Sequence, residues 1–344
     1  MTKLDSLELK GIAILMMLFL HLFNTPERVA ECTTFLHIGS KPFALLLSRV
    51  CGMCVPIFIF ITGYGLAASW RKDVLHQLHP LRRVSHLYGM YWTVFLLFIS
   101  LACYLCPSVY PGSLPEFIEN LFCLTFTYNG EWWFMRSYII LVLLSPWIVG
   151  TMMSSKRDSN RMLLLATIGY IIWGVISKTH WKNVYIIDVV NRVLQIYLPF
   201  AFGIWTYYTQ GFNRLHDWLA KLNFKRRHGL TITGVAVPLL ICIICKIIFL
   251  KAIMMIPFVL FYLQIKRAGW LKRILCYLGR HSTYMWLTHT FFCYYLFHDE
   301  IYGLRYPLLI YGVLIALSLM SSYLCGWVHT ALAFAINKLK TILR

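Results

Sequence analysis

Charged side chains are scarce in this sequence. Only 13% of its 344 residues are Asp, Glu, Lys or Arg, whereas 59% are hydrophobic. A soluble protein of this length needs more polar side chains than this to cover its surface. The composition therefore excludes an ordinary soluble domain and predicts an integral membrane protein.

The shortage is greatest for acidic residues, because 13 Asp and Glu stand against 32 Lys and Arg, giving a formal net charge of +19. Such an excess can indicate nucleic-acid binding. Here, however, the basic residues occur in short runs such as "KRRH" (225–228) and "IKRAGWLKR" (265–273), each beside an apolar segment. Membrane topology and anionic lipid explain these runs more simply, so we expect membrane lipid and no nucleic acid as a partner.

Internal repeats, low-complexity tracts and polar linkers are also absent from the sequence. The first apolar run lacks an A-x-A-like cleavage site, so we interpret it as a membrane helix and not as a cleavable signal peptide. We expect a single membrane domain over residues 1–344, with no appended soluble domain.

The chain contains about ten apolar segments, each long enough to cross a hydrocarbon core about 30 Å thick. They lie near residues 7–24, 42–69, 87–106, 133–152, 162–177, 193–209, 229–249, 252–265, 282–297 and 307–329. The predicted fold is all-α, a polytopic transmembrane helical bundle of about ten spans.

Lys and Arg are unevenly distributed among the connecting segments. Of the 32, 22 lie in residues 1–10, 71–86, 154–161, 211–228, 266–281 and 330–344. Because basic residues collect in cytoplasmic loops, both termini are expected to be cytoplasmic. Residues 106–131, which contain three glutamates and no Lys or Arg, are expected on the opposite side.

Eleven cysteines include three C-x-x-C pairs, at residues 51 and 54, 103 and 106, and 242 and 245. Zinc sites of this spacing usually lie in polar loops with a second pair nearby, and redox motifs lie at the start of a soluble helix. We interpret these cysteines as small apolar residues and expect no metal site.

His21 interrupts the apolar run "LELKGIAILMMLFLHLF" (7–23), and Lys10 precedes it. Eleven residues of helix turn through about 1100° and rise about 16 Å, so the two side chains share one face. An ionisable group deep in a membrane is a functional hypothesis by default. A packing histidine bonded to a neighbouring carbonyl is the alternative, and His21 alone does not decide between them.

This spacing resembles the Arg/Lys-x10-His motif in the first helix of the acyltransferase family 3 membrane proteins. Four other segments resemble motifs of that family in the expected order, namely "FIFITGYGL" (58–66), "LRRVSHLYGMYW" (81–92), "NGEWWFMRSYIILVLLSPW" (129–147) and "LGRHSTYMWLTHTFF" (278–292). The second arginine of the family's R-x-x-R loop aligns with His86, whose charge depends on pH. The extracytoplasmic hydrolase-like domain that some relatives carry is not expected here.

The resemblance implies transfer of an acyl group, commonly acetyl, from a cytoplasmic acyl-coenzyme A to a hydroxyl of a glycan or lipid-linked sugar outside the cytoplasm. Acetyl-coenzyme A is then the donor substrate, and no permanently bound cofactor is expected. The expected location is the cytoplasmic (inner) membrane of a bacterium. The acceptor, the acyl chain and the oligomeric state do not follow from the sequence.

The charge and the position of four residues predict a general base and a binding site for the acyl donor. A neutral imidazole can take the proton of an attacking hydroxyl, so His21 is the predicted general base, with an acyl carrier as the alternative role. Lys10, Arg82 and Arg83 are expected to bind the phosphates of coenzyme A, although positive-inside anchoring explains each of them equally well.

Candidate acceptor-binding residues lie mainly at the start of the fourth predicted span. We assign Glu131, Trp132, Trp133, Arg136 and His289 to this group. The alternative is an interfacial aromatic belt with an incidental ion pair, and for His289 helix packing. Ser282 is expected to cap the start of the ninth span.

A transporter or exporter without acyl-transfer chemistry is the competing functional class, since a carrier also contains intramembrane polar residues. We find no inverted repeat and no pair of matched broken helices, which disfavours this class. A purely structural protein is a third class, disfavoured by the order of the motifs.

Reporter fusions are expected to place residues 71–86, 211–228 and 266–281 in the cytoplasm and residues 107–130 outside, because the basic residues divide in that way. A cytoplasmic signal from a reporter inserted at residue 120 contradicts this map and the site assignment that uses it.

Overall fold

The computed structural model describes residues 1–72, 79–247 and 249–342. The chain is 82% helical, which confirms the predicted all-α fold. In the described ranges, a two-stranded hairpin pairs β1 (His37–Ile38) with β2 (Lys41–Pro42). Parts of the predicted loop 71–86 and of the predicted span 229–249 lie outside the described residues.

The α-helices of the described residues are numbered in chain order. They are α1 (Lys3–Phe23), α2 (Pro26–Ala30), α3 (Phe43–Cys51), α4 (Cys54–Lys72), α5 (Pro80–Leu105), α6 (Leu114–Leu121), α7 (Trp133–Ser154), α8 (Lys156–Ile176), α9 (Tyr185–Tyr208), α10 (Gly211–Ala220), α11 (Phe224–Ile244), α12 (Leu250–Tyr262), α13 (Gly269–Thr290), α14 (His298–Tyr302) and α15 (Pro307–Ile342). Two 3-10 turns, Gly130–Trp132 and His180–Asn183, and a π-helical turn, Phe291–Tyr295, complete the helical structure described.

Eight helical segments of the described chain are long and apolar enough to cross a membrane. They are α1, α3 with α4, α5, α7 with the 3-10 turn before it, α8, α9, α11 and α15. The other two predicted spans correspond to α12, which has 13 residues, and to α13 with the π-helical turn. The predicted span 42–69 is two helices in the structure, because the chain turns at Gly52 and Met53.

The predicted cap at Ser282 is wrong. Helix α13 begins at Gly269, and Ser282 lies inside it, where its hydroxyl donates to the carbonyl of Gly279 at 2.9 Å. The first half of α13 is too basic to resemble a membrane span, so the apolar pattern alone starts the helix too late. Packing against α1 maintains this half as helix, with Leu275 and Cys276 buried.

Helices α1 and α13 approach each other with their backbones almost in contact. A Cβ atom added to Gly11 would lie 2.0 Å from the carbonyl oxygen of Leu275, and one added to Gly279 would lie 2.0 Å from that of Leu7. Only glycine permits this approach. The same arrangement joins α4 to α9, where Gly63 meets the carbonyl of Phe200.

Buried ion pairs fix the N-terminal end of α1 to the start of α13. Glu8 is fully buried, and its Oε1 accepts from Arg267 Nε at 2.7 Å and from the Tyr262 hydroxyl at 2.7 Å. Lys272 Nζ lies 3.1 Å from Asp5 Oδ1. Beyond the crossing at Gly11 and Gly279, both helices run in the same direction.

Substitution of Gly279 by Ala is expected to lower the free energy of unfolding by about 1–3 kcal/mol, because the added methyl must push α1 away from α13. Thermal melting in detergent measures the loss. Gly312→Ala on α15 is the matched control, since an added Cβ there has nothing within 4 Å. Equal melting temperatures for the two variants would contradict the proposed packing.

Candidate active site

His21 lies in the last turn of α1 and is 8% exposed. Its Nδ1 lies 3.1 Å from the hydroxyl of Tyr294, and its Nε2 lies 3.6 Å from Glu131 Oε2. The ring of His289 is its third neighbour, with the two ring centroids 5.1 Å apart. Three segments of the chain that are distant in sequence, those of His21, Glu131 and His289 with Tyr294, therefore meet at one imidazole.

The hydrogen bonds around Tyr294 assign the proton of His21. The Tyr294 hydroxyl donates to the carbonyl oxygen of His21 at 2.5 Å and accepts from Arg28 Nη1 at 2.5 Å. Its remaining lone pair can accept only from a protonated Nδ1. In neutral His21 the free lone pair therefore lies on Nε2, the atom that faces Glu131, and Nε2 is the atom that can accept a proton.

Glu131 is held in place by the segment before α7. The side chain of Asn129 caps the 3-10 turn by accepting from the backbone N–H of Glu131 at 3.1 Å, and its amide donates to Thr290 Oγ1 at 2.7 Å. The N–H of Gly130 donates to the Tyr295 hydroxyl at 2.8 Å. These bonds connect the carboxylate to the same end of α13 that carries His289.

His289 is fully buried, and its Nδ1–H donates to the carbonyl oxygen of Trp286 at 2.8 Å. This is the backbone bond that a packing role predicts. Its Nε2, which then carries a lone pair, has no hydrogen-bond partner among the described residues. Buried polar atoms are rarely left unpaired, but His289 is not among the residues that line the His21 cavity.

A cavity of about 180 Å³ opens next to His21, and we call it the His21 cavity. Its polar walls are His21, Glu131, Gln195 and Lys251. Its aromatic walls are Trp133, Tyr170 and Trp173. The cavity therefore combines a proton acceptor, a carboxylate, an amide, an ammonium group and flat apolar surfaces.

A second cavity, of about 400 Å³, lies toward the start of α1, and we call it the basic cavity. Lys10, Arg83, His86 and Arg280 line it, and no carboxylate is among the described residues of its walls. A neighbouring cavity of about 780 Å³ shares Lys10 and Arg83, and its walls likewise contain no carboxylate in the part of the chain that the structure describes. Such a concentration of cations attracts a polyanion.

The basic cavity ends short of His21. Met17, Phe134 and Trp286 form its inner wall, and the rings of Phe134 and Trp286 lie 5.3 Å apart. Met17 lies one helical turn before His21, and Trp286 holds His289 through its carbonyl. Side chains of the basic cavity therefore come within one helical turn of His21, which lines the His21 cavity.

The structure brings together only some of the residues assigned from the sequence. Lys10 and Arg83 share the basic cavity, whereas Arg82 is exposed and is not among its lining residues. Trp133 lines the His21 cavity. Trp132 is fully buried and donates its indole N–H to the carbonyl of Leu287 at 3.1 Å.

Glu131 and Arg136 do not form the incidental ion pair that the sequence suggested. Arg136 Nη2 donates to Asp188 Oδ2 at 2.8 Å, and its Nη1 donates to the carbonyl of Leu124 at 2.9 Å. Glu131 faces His21 instead. Arg136 thus belongs to a neighbouring polar cluster and does not line the His21 cavity.

Sequence analysis did not identify Arg28, Gln195, Lys251, Arg280 and Tyr294. Arg28 and Lys251 belong to the ten basic residues outside the predicted cytoplasmic segments, and that exception could have indicated a role. Gln195, Arg280 and Tyr294 lie on helical segments whose facing partners depend on long-range packing, which spacing does not reveal.

Comparison with known proteins provides an independent indication. Searches of curated proteins and of solved structures found no match. The model of acyltransferase family 3, described as an acyltransferase domain, matches residues 5–327. Because this match covers nearly the whole chain and includes both cavities, the protein belongs to the acyltransferase family 3.

Proposed function

We propose that the protein transfers an acyl group, in the simplest case acetyl, from cytoplasmic acyl-coenzyme A to a hydroxyl of a glycan or lipid-linked sugar on the other side of a bacterial cytoplasmic membrane. The family supports acyl transfer in general. The observation that carries the finer proposal is the position of His21 between a cavity rich in cations and a cavity with aromatic walls.

In this mechanism the acceptor hydroxyl occupies the His21 cavity and gives its proton to Nε2 as its oxygen attacks the thioester carbonyl carbon. A carbon–oxygen bond forms and the carbon–sulfur bond breaks, so coenzyme A leaves as a thiolate. The proton on Nε2 then passes to that sulfur. Glu131, 3.6 Å from Nε2, stabilises the imidazolium that forms between these two proton transfers.

The residues around His21 act by holding the ring. Tyr294 and Arg28 fix Nδ1 as the protonated nitrogen, so Nε2 is presented to the cavity in its basic form. For the unpaired Nε2 of His289 to accept a hydrogen bond from the acceptor, the side chains that bury it have to move, since His289 does not line the His21 cavity. We expect Trp133 to offer a flat face to the acceptor sugar.

Binding of the acyl donor in this proposal depends on positively charged side chains. We assign the phosphates of coenzyme A to Lys10, Arg83, Arg280 and, when protonated, His86. The pantetheine arm is long enough for the rise of about 16 Å between Lys10 and His21 along α1. To reach His21 the arm has to displace the apolar side chains that close the basic cavity.

The competing function, transport without acyl-transfer chemistry, explains these features less well. A carrier needs a path for its cargo, but a neutral imidazole with a fixed tautomer beside a carboxylate is the arrangement of a general base. Membership of the acyltransferase family supports the same choice.

His21→Ala is expected to reduce acyl transfer by about 10²–10⁴-fold, since a general base contributes that much to the rate. Mass analysis of surface glycans from host cells that express the variant or the wild type measures the acyl increment. His281→Ala is the matched control, because this histidine bonds to Ser322 outside the site. A normal acyl increment with His21→Ala eliminates His21 as the base.

Arg83→Ala is expected to raise the KM for acetyl-coenzyme A roughly tenfold or more with little change in kcat, because a charge-assisted bond to phosphate is lost. Consumption of acetyl-coenzyme A by inside-out vesicles of the host membrane measures this effect. Arg82→Ala is the control, since it removes the same charge one residue away from the cavity.

Right-side-out vesicles of the same membranes should consume no donor, because coenzyme A is too charged to cross a bilayer. Equal KM values for the Arg83 and Arg82 variants would remove the basic cavity from the donor site. Consumption by right-side-out vesicles would reverse the assigned orientation.

A further inference from the structure

Lys251 is the second residue of α12, and its side chain reaches the His21 cavity. It lies across the turn between α3 and α4, where a Cβ added to Gly52 would lie 2.3 Å from its Nζ. A glycine at that turn therefore leaves the space that the ammonium group occupies. Lys251 is one of the few cations of this protein outside the segments predicted to be cytoplasmic.

The surroundings of this ammonium group do not neutralise it. Among the described residues, no carboxylate oxygen lies within 4.0 Å of Lys251 Nζ, and no residue forms a hydrogen bond with this nitrogen. Its neighbours in the wall are largely apolar, among them Cys54, Tyr170 and Ala252. The position in the first turn of α12 adds the positive end of the helix dipole, which disfavours a cation.

Glu131 lies in the same cavity but is not the counterion of Lys251. Its Oε2 is 3.6 Å from His21 Nε2, and it forms no ion pair with Lys251 within 4.0 Å. The cavity thus holds two opposite charges at separate places. The carboxylate faces the imidazole, and the ammonium group lies beside Gly52 in another part of the wall.

The remaining walls suit a sugar ring. Trp133, Tyr170 and Trp173 provide aromatic faces, and Gln195 provides an amide that can both donate and accept. A neutral sugar would use these walls and leave Lys251 without a partner. A sugar with a negative substituent would use all of them.

We propose that the acceptor is an anionic sugar whose carboxylate or phosphate group pairs with Lys251 while its reacting hydroxyl faces His21. The inference deepens the proposed function and rests on it, because it names the class of acceptor for the same site. The pairing orients the ring as well as holding it, since the anion and the hydroxyl are fixed at two separate points of the cavity.

Binding of three related sugars tests this inference in the absence of any acyl donor. Glucose, glucuronate and glucose 6-phosphate differ only at carbon 6, which is neutral, a carboxylate or a phosphate ester. We expect the purified wild-type protein in detergent to bind at least one of the two anionic sugars roughly tenfold more tightly than glucose, because a charge-assisted bond is gained. The anionic sugar that binds more tightly shows whether the substituent of the acceptor is a carboxylate or a phosphate.

Lys251→Met is expected to remove the preference, so that its dissociation constants for the anionic sugars rise to that for glucose. Lys251→Arg should restore the preference in part, because it retains the charge. Lys246→Met is the matched control, since Lys246 is exposed in the connection between α11 and α12 and does not line the cavity. It removes the same charge and should leave the preference unchanged.

Equal or undetectable binding of all three sugars by the wild-type protein overturns the inference, and so does a preference that survives Lys251→Met or disappears in Lys246→Met. Failure of this inference can be distinguished from failure of the proposed function, because the binding assay contains no acyl donor. Acyl transfer without an anion preference rejects only the role of Lys251. A Lys251-dependent preference in a protein that consumes no acyl-coenzyme A rejects only the chemistry.

Discussion

The direct contact between the backbones of α1 and α13 is the constraint on which the site depends. Gly11 and Gly279 let the two helices cross without intervening side chains. From that crossing both helices run in the same direction, and about ten residues further on the rings of His21 and His289 lie 5.1 Å apart. A wider crossing would separate these rings and would move Tyr294 away from the imidazole of His21, to which it is bonded. The geometry of the candidate active site is therefore set about 15 Å away from it along α1, by two residues that have no side chain.

The shortage of acidic residues has a direct structural consequence. The few carboxylates of the described helices are largely committed, since Asp5 and Glu8 pair with Arg267 and Lys272, while Asp188 pairs with two arginines. No carboxylate is among the described residues that line the basic cavity, whereas Lys10, Arg83 and Arg280 are. The composition that identifies a membrane protein therefore also produces a site of positive potential. The same reasoning applies to Lys251 on the other side of His21, because the one carboxylate of that cavity faces the imidazole.

The periodicity of the sequence predicted those features of the site that depend on a single helix. The shared face of Lys10 and His21 follows from helical periodicity, and both residues line cavities in the structure. Periodicity failed where the environment of a side chain depends on the elements that pack against it. Trp132 and Trp133 are an example, since they are adjacent and their side chains differ by about 100° in direction around the helix axis. Packing against α13 buries the first, and the second lines the His21 cavity. The beginning of α13 was also missed, because its first half is too basic to resemble a membrane span and packs against α1. Lys251 and Glu131 meet in one cavity although their segments are far apart in the chain, and no spacing encodes such a meeting.

The apolar side chains between the two cavities resolve a conflict in the proposed mechanism. A donor from one face and an acceptor from the other need a common point, but a permanently open path through the protein would conduct ions and protons across the membrane. Met17, Phe134 and Trp286 are apolar side chains of the basic cavity, and we expect them to close that path when no donor is bound. A pantetheine arm that displaces them would also fill the space they leave, so the path would be blocked either by the protein or by the substrate. Such a closure would keep water away from the thioester in both states, which favours attack by a bound hydroxyl over hydrolysis.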